Sequence, residues 1–126
     1  MKKIALLFAA TLMLLSGCDL NSNNVENGNE VNTSTEISMV YDKFTGSRQT
    51  HIEVAENQPV TVVVEIITEK GSLEATIVRD ADNDIRYEGH QIPSSSFTVG
   101  LNDPGRYTLN IKAANHAGSF SFKWGK

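Results

Sequence analysis

The sequence has one cysteine, Cys18, so it can form neither an intrachain disulfide nor an all-cysteine zinc site. It has no excess of positive charge: 11 Lys and Arg stand against 15 Asp and Glu, a formal net charge of -4. That excludes the basic footprint of a duplex nucleic-acid binder and the polybasic segment that grips anionic lipid. No apolar run reaches the roughly 20 residues that a membrane-spanning helix needs. Beyond Cys18 no segment sustains an apolar period of 3.6, which argues against a helical domain. No Gly-rich phosphate loop is present. What is there is 126 residues, 40% of them apolar, enough for one small globular domain.

The first strong signal is at the start. Met1-Lys2-Lys3 is a short basic segment, and Ile4 to Leu15 is an uncharged run of twelve residues, the length of a signal-peptide core. Leu15-Ser16-Gly17-Cys18 then resembles a bacterial lipobox: an apolar residue, two small residues, and the cysteine whose thiol takes diacylglycerol. The resemblance implies removal of residues 1–17 and a chain carrying diacylglycerol and palmitate on Cys18. The chain would be held to the cell membrane on its extracytoplasmic side. Losing Lys2 and Lys3 leaves 9 basic residues against 15 acidic ones, a charge of -6. Asp19 resembles the inner-membrane retention signal of enteric-type bacteria and would carry no meaning in an envelope with one membrane.

Residues 18–36 read as the lipidated cysteine followed by a disordered polar tether, because only Leu20, Val25 and Val31 are apolar between Asp19 and Glu36. The alternative is a strand added to the domain edge through Val25 or Val31. From residue 37 to 126 short runs alternate with period two. Val40 and Phe44 flank the expected first strand, with Tyr41 on its other face. Ile52 and Val54 follow; then Val60, Val62, Val64 and Ile66; then Leu73, Ala75 and Ile77. Ile85-Arg86-Tyr87 is a short run. Phe97, Val99 and Leu101 share a face, as do Tyr107, Leu109 and Ile111, and finally Phe120, Phe122 and Trp124. Turn residues separate the runs, among them Lys70-Gly71-Ser72, Asp82-Asn83-Asp84, Asn102 to Gly105 and Asn115 to Gly118. The expectation is an all-β fold, an antiparallel β-sandwich of jelly-roll or Greek-key type with about eight strands.

The stretch Asp103-Pro104-Gly105-Arg106-Tyr107-Thr108-Leu109-Asn110-Ile111, a Gly turn followed by Tyr on the next strand, is similar to one in the small sandwich domains at the C-terminal ends of secreted bacterial peptidases. Tyr41-Asp42-Lys43-Phe44 resembles their aromatic-rich opening strand. The resemblance implies an accessory or binding module and transfers no functional residue.

Chemistry-bearing residues are sparse. Asp80, Asp82 and Asp84 alternate as calcium ligands do, but Ile85 and Gln91 stand where an EF-hand has Gly and Glu, so the simpler reading is a hairpin turn. His51, His90 and His116 have no metal-ligand spacing and read as three separate surface histidines. Ser94-Ser95-Ser96 lacks the elbow of a serine nucleophile. Tyr41 and Tyr87 are the candidate aromatics for a glycan. The expected function is non-enzymatic: a membrane-anchored lipoprotein, monomeric and without cofactor, presenting a β-sandwich to an envelope protein, peptide or glycan. The alternatives are an inhibitor or immunity lipoprotein of phage-exclusion type, and a hydrolase.

Overall fold

In the computed structural model, residues 23–125 are described; the expected signal peptide 1–17, the expected lipidation site Cys18, residues 19–22 and Lys126 lie outside them. The described residues are all-β, with no helix, and form seven antiparallel strands: β1 (Asn24–Glu26), β2 (Asn29–Asn32), β3 (Glu36–Val54), β4 (Val60–Arg79), β5 (Asp84–Gly89), β6 (Ser95–Leu101) and β7 (Gly105–Lys123). They belong to one hydrogen-bonded sheet in which β7 lies between β3 and β4.

Three strands are about 20 residues long, and each is interrupted at its middle. The pairing of β3 with β7 slips between Tyr41 and Gly46, and that of β4 with β7 slips between Thr68 and Ser72. At each slip the buried parity changes. Ile37, Met39 and Tyr41 point inward before the bulge in β3, and Phe44, Ile52 and Val54 after it. Along β4 the inward set passes from Val62, Val64 and Ile66 to Leu73, Ala75 and Ile77; along β7, from Tyr107, Leu109, Ile111 and Ala113 to His116, Phe120 and Phe122. A bulge adds one residue and bends the strand. Three bulges in line therefore fold the sheet over itself.

Two glycines allow the bend. Gly71 has φ +75° and Gly118 has φ +139°. A Cβ on Gly71 would collide with the Asn115 carbonyl, and one on Gly118 with the Ile67 carbonyl. The fold line makes two layers. One pairs β2, the first half of β3, the second half of β7, the first half of β4, and β6. The other pairs the second half of β3, the first half of β7, the second half of β4, and β5. Side chains from both layers make a single core.

Each open edge is closed across the layers. On one side the Tyr87 and Phe97 rings pack at 5.3 Å, linking β5 to β6. On the other, Arg48 of β3 donates from Nε to Glu30 Oε2 at 2.9 Å and from Nη2 to Oε1 at 3.2 Å, with its guanidinium 5.0 Å from the centre of the Phe44 ring. At the turn into β7, the Tyr107 hydroxyl donates to the Asp103 carbonyl at 2.7 Å, which fixes the Gly-turn-Tyr stretch noted in the sequence.

Several expectations are corrected. The count of seven is close to the expected eight, but the strands differ. Lys70-Gly71-Ser72 and Asn115 to Gly118 are bulges within continuous strands and not turns, and the strand is continuous from Phe44 to Ile52. Six expected runs thus join into β3, β4 and β7, while β1 and β2 are added. Val40 is 53% exposed and Tyr41 is the core residue, the reverse of the expected facing. The disordered tether is corrected over residues 23–36, where β1 and β2 pair with β3. The backbone ladder supplies what the polar side chains do not, and Val25 packs against the core.

Candidate functional site

The outer face of the second layer carries rows of polar side chains. Antiparallel register sets its rows: Ser47 opposite Lys112 opposite Glu74, and Gln49 opposite Asn110 opposite Thr76. Near the fold line this face is hollowed into an open groove of about 650 Å³. Its floor is shallow in side chains (Gly46, Ala113 and Ala114), and its walls carry Thr45, Ser47, Ser72, Glu74, Lys112 and the loop residues His90 and Gln91. A second hollow of about 410 Å³ shares Glu74, His90 and Lys112 and continues toward Thr76 and Asn110.

The charges in the groove are unevenly partnered. His90 Nδ1 lies 2.8 Å from Glu74 Oε1 and Nε2 lies 2.9 Å from Glu88 Oε2. These bonds, to Glu88 first and then Glu74, raise the His90 pKa above its ordinary value and favour the imidazolium. Glu74 is engaged by His90, and its cross-strand neighbour Lys112 forms no ion pair among the described residues. An exposed ammonium is thus presented in a groove lined with hydroxyl and amide groups.

Behind the groove, at the fold line, His116 is fully buried, which corrects the reading of three surface histidines. Tyr41 Oη lies 2.7 Å from Nδ1, Thr68 Oγ1 lies 2.8 Å from Nε2, and Thr68 donates its one proton to the Ile92 carbonyl at 2.9 Å. Thr68 must then accept from Nε2–H, so Nδ1 accepts from Tyr41. One neutral tautomer satisfies every group. Burial lowers the His116 pKa and raises that of Tyr41. The chain of bonds joins β3, β7 and β4 to the loop that carries His90 and Gln91.

The two histidines should therefore titrate on opposite sides of their common ordinary value near 6.5. The His116 contribution to stability is complete above pH ~6.5 and is lost as pH falls toward its lower folded-state value; that of His90 is complete below ~6.5 and is lost as pH rises through its raised value. Imidazole NMR titration checks this. A His116 midpoint above that of His90 would contradict it.

Other candidates are placed elsewhere. Tyr41 is buried, with its hydroxyl on His116, and is removed as a glycan contact. Tyr87 is half-buried against Phe97. Asp80, Asp82 and Asp84 do not converge: Asp80 accepts from Thr108, Asp82 pairs with Arg79, and Asp84 pairs with Arg86. Asn83, at φ +58°, makes the hairpin turn. No group of three His, Cys, Asp or Glu among the described residues has metal-binding geometry. Ser94 Oγ accepts from the Thr68 amide at 2.9 Å, and Ser95 donates to the Pro93 carbonyl. His51 is exposed, 3.3 Å from Thr108 Oγ1. A cleft of about 680 Å³ at the opposite end of the sandwich is lined by Gln58, Pro59, Val60 and Trp124. Its aromatic is buried, and the indole N–H is spent on the Ser34 carbonyl. The groove was missed in the sequence because cross-strand register creates it; the shared parity of Lys112 and Asn110 was its one visible trace.

No family model matches the chain, and no curated protein is similar to it. Among solved structures it is similar to peruvianin-I, a cysteine peptidase from Thevetia peruviana latex, with 16% identity and a TM-score of 0.46 over 86% of this chain and 64% of that one. It is similar to the carbohydrate-binding module CBM6cm-2 of Cellvibrio mixtus lichenase 5A, solved with cellotriose, with 15% identity and a TM-score of 0.40 over 82% and 86%. TmCBM61, solved with β-1,4-galactotriose, gives 17% identity and a TM-score of 0.36 over 75% and 63%. The chain therefore spans less than two thirds of the peptidase and of TmCBM61. At these identities and scores the likenesses carry no ligand or activity over to this chain.

Proposed function

We propose that this chain is a lipid-anchored binding module of the cell envelope, working by recognition and not by chemistry. Cys18, in its lipobox-like setting, is the anchor. The ligand surface is the groove of the second layer, and the ligand is a polar envelope polymer, glycan or peptide, that offers acceptors to Lys112 and hydroxyl or amide groups to the walls. The observation that carries the reading is the exposed Lys112 ammonium, which lines the groove and forms no ion pair among the described residues. A charged donor on an acceptor contributes about 1.5–3 kcal/mol, which is ample for a module of modest affinity.

Calorimetry with the lipidated chain in detergent, against soluble peptidoglycan fragments and envelope polysaccharides, tests this. Lys112→Ala should weaken binding by about 10- to 150-fold, the free-energy range just given, and leave the fold intact. Unchanged affinity in Lys112→Ala, or turnover of the ligand, would contradict the proposal.

A further inference from the structure

We infer that the β1–β3 edge of the sandwich faces the lipid bilayer, held near the headgroups by a leash of four residues. This rests on the lipid anchor proposed above. Strand pairing is present much closer to Cys18 than the polar composition implied. Asn24 already pairs with Thr45, and the side-chain carbonyl of Asn23 accepts from Arg48 Nη1 at 2.7 Å. The same Arg48 holds Glu30 of β2, so this edge is pinned to the body at two points.

Only residues 19–22 separate Cys18 from Asn23. Whatever conformation they adopt, five Cα–Cα steps reach no more than about 18 Å at ~3.6 Å each. The opposite corner of the molecule is the β4–β5 turn at Asp80–Asn83. It lies four strand steps from β1 across the sheet, about 19 Å at ~4.8 Å per step. Arg79 is level with Tyr107, which is level with Ile52, so the turn also lies some 25–30 Å along the strands from Thr45. The leash thus keeps one edge within a headgroup's reach, while the far corner ranges up to about 30 Å further out.

The approach is imposed by covalent length and not by charge, since Glu26, Glu30 and Asp42 outnumber Lys43 and Arg48 along this edge. The consequence is functional. Thr45 and Ser47 form the groove rim beside the pinned edge, so the groove opens close to the bilayer. Its ligand is a membrane-proximal one.

The test uses the full lipidated chain in phosphatidylcholine vesicles whose headgroups carry an energy acceptor. Cys18 is the only native cysteine and is blocked by its lipid, so Glu26→Cys and Ala81→Cys each take one donor dye at an exposed site. Transfer from the dye at position 26 should exceed that at position 81 several-fold. Ten Gly/Ser residues inserted after Leu20 should erase most of the difference. Equal transfer from both sites in vesicle-bound, lipidated protein would overturn this inference and leave the anchor standing, as would a difference that the insertion does not change. A chain that fails to float with vesicles and whose mass shows a free Cys18 would overturn the anchor itself, and the inference with it.

Discussion

Trp124→Ala should lower the free energy of unfolding by roughly 3–5 kcal/mol, as truncation of a large core aromatic does. Trp124 is 8% exposed and closes the end of the core opposite the fold line. Its indole Nε1–H donates to the Ser34 carbonyl at 3.0 Å, and its amide donates to the Thr35 carbonyl at 2.9 Å. The substitution removes the ring and leaves the Ser34 acceptor unpaired, while the backbone bond survives. Trp124→Phe keeps most of the apolar area and loses the indole donor, so its cost should be smaller by half or more. Urea unfolding followed by circular dichroism measures both. An alanine variant as stable as its parent would mean that Trp124 does not close the core.

The second large effect belongs to His116→Ala. The ring fills the fold line between Tyr41 and Thr68, with the Tyr41 ring centre 5.6 Å away. Its loss opens a cavity and strands the Tyr41 hydroxyl inside the protein, an unsatisfied group that costs about 1–3 kcal/mol by itself. With the cavity, the expected total is roughly 3–5 kcal/mol. A double-mutant cycle separates the two parts. Tyr41→Phe should be destabilising in the parent but nearly neutral when His116 is already alanine, because the hydroxyl then has no partner to lose. Equal costs of Tyr41→Phe in both backgrounds would show that the Tyr41–His116 bond carries no stability.

Much of this fold was legible from the chain. Every inward set seen in the structure lies in a period-two run of the sequence, and the Asp82-Asn83-Asp84 turn is where its residues place it. What misled was glycine, which serves both hairpin turns and bulges. The distinguishing sign was available in principle. Twice an apolar set changes parity across a Gly-containing stretch, at Gly71 and Gly118, and a third change, between Tyr41 and Phe44, falls just before Gly46; a repeated switch is what one sheet bent along one line requires. The same reasoning would have found His116, whose parity matches Phe120, Phe122 and Trp124. Tyr41 likewise shares parity with Ile37 and Met39. β1 and β2 are the edge strands that the sequence offered only as an alternative, through Val25 or Val31; composition pointed to a tether because an edge strand can be held by its backbone and one arginine clasp, neither of which alters composition.

The groove was legible only in its parts. Lys112, Glu74 and His90 lie far apart in sequence and meet through the register of β7 with β4 and the reach of the β5–β6 loop. Nothing local marks Lys112 as the member without an ion pair, because its neighbours come from other strands.

The most direct test of the central claim, that this face recognises a ligand without transforming it, is an amide chemical-shift map of the ¹⁵N-labelled lipidated chain in detergent. Membrane-proximal peptidoglycan fragments and envelope polysaccharides are titrated in, and the mass of each recovered ligand is measured. The account predicts shifts centred on Thr45–Ser47, His90–Gln91 and Lys112–Ala114, with the ligand recovered unchanged. Shifts centred instead on the Trp124 cleft, or a ligand recovered as cleaved product, would contradict it.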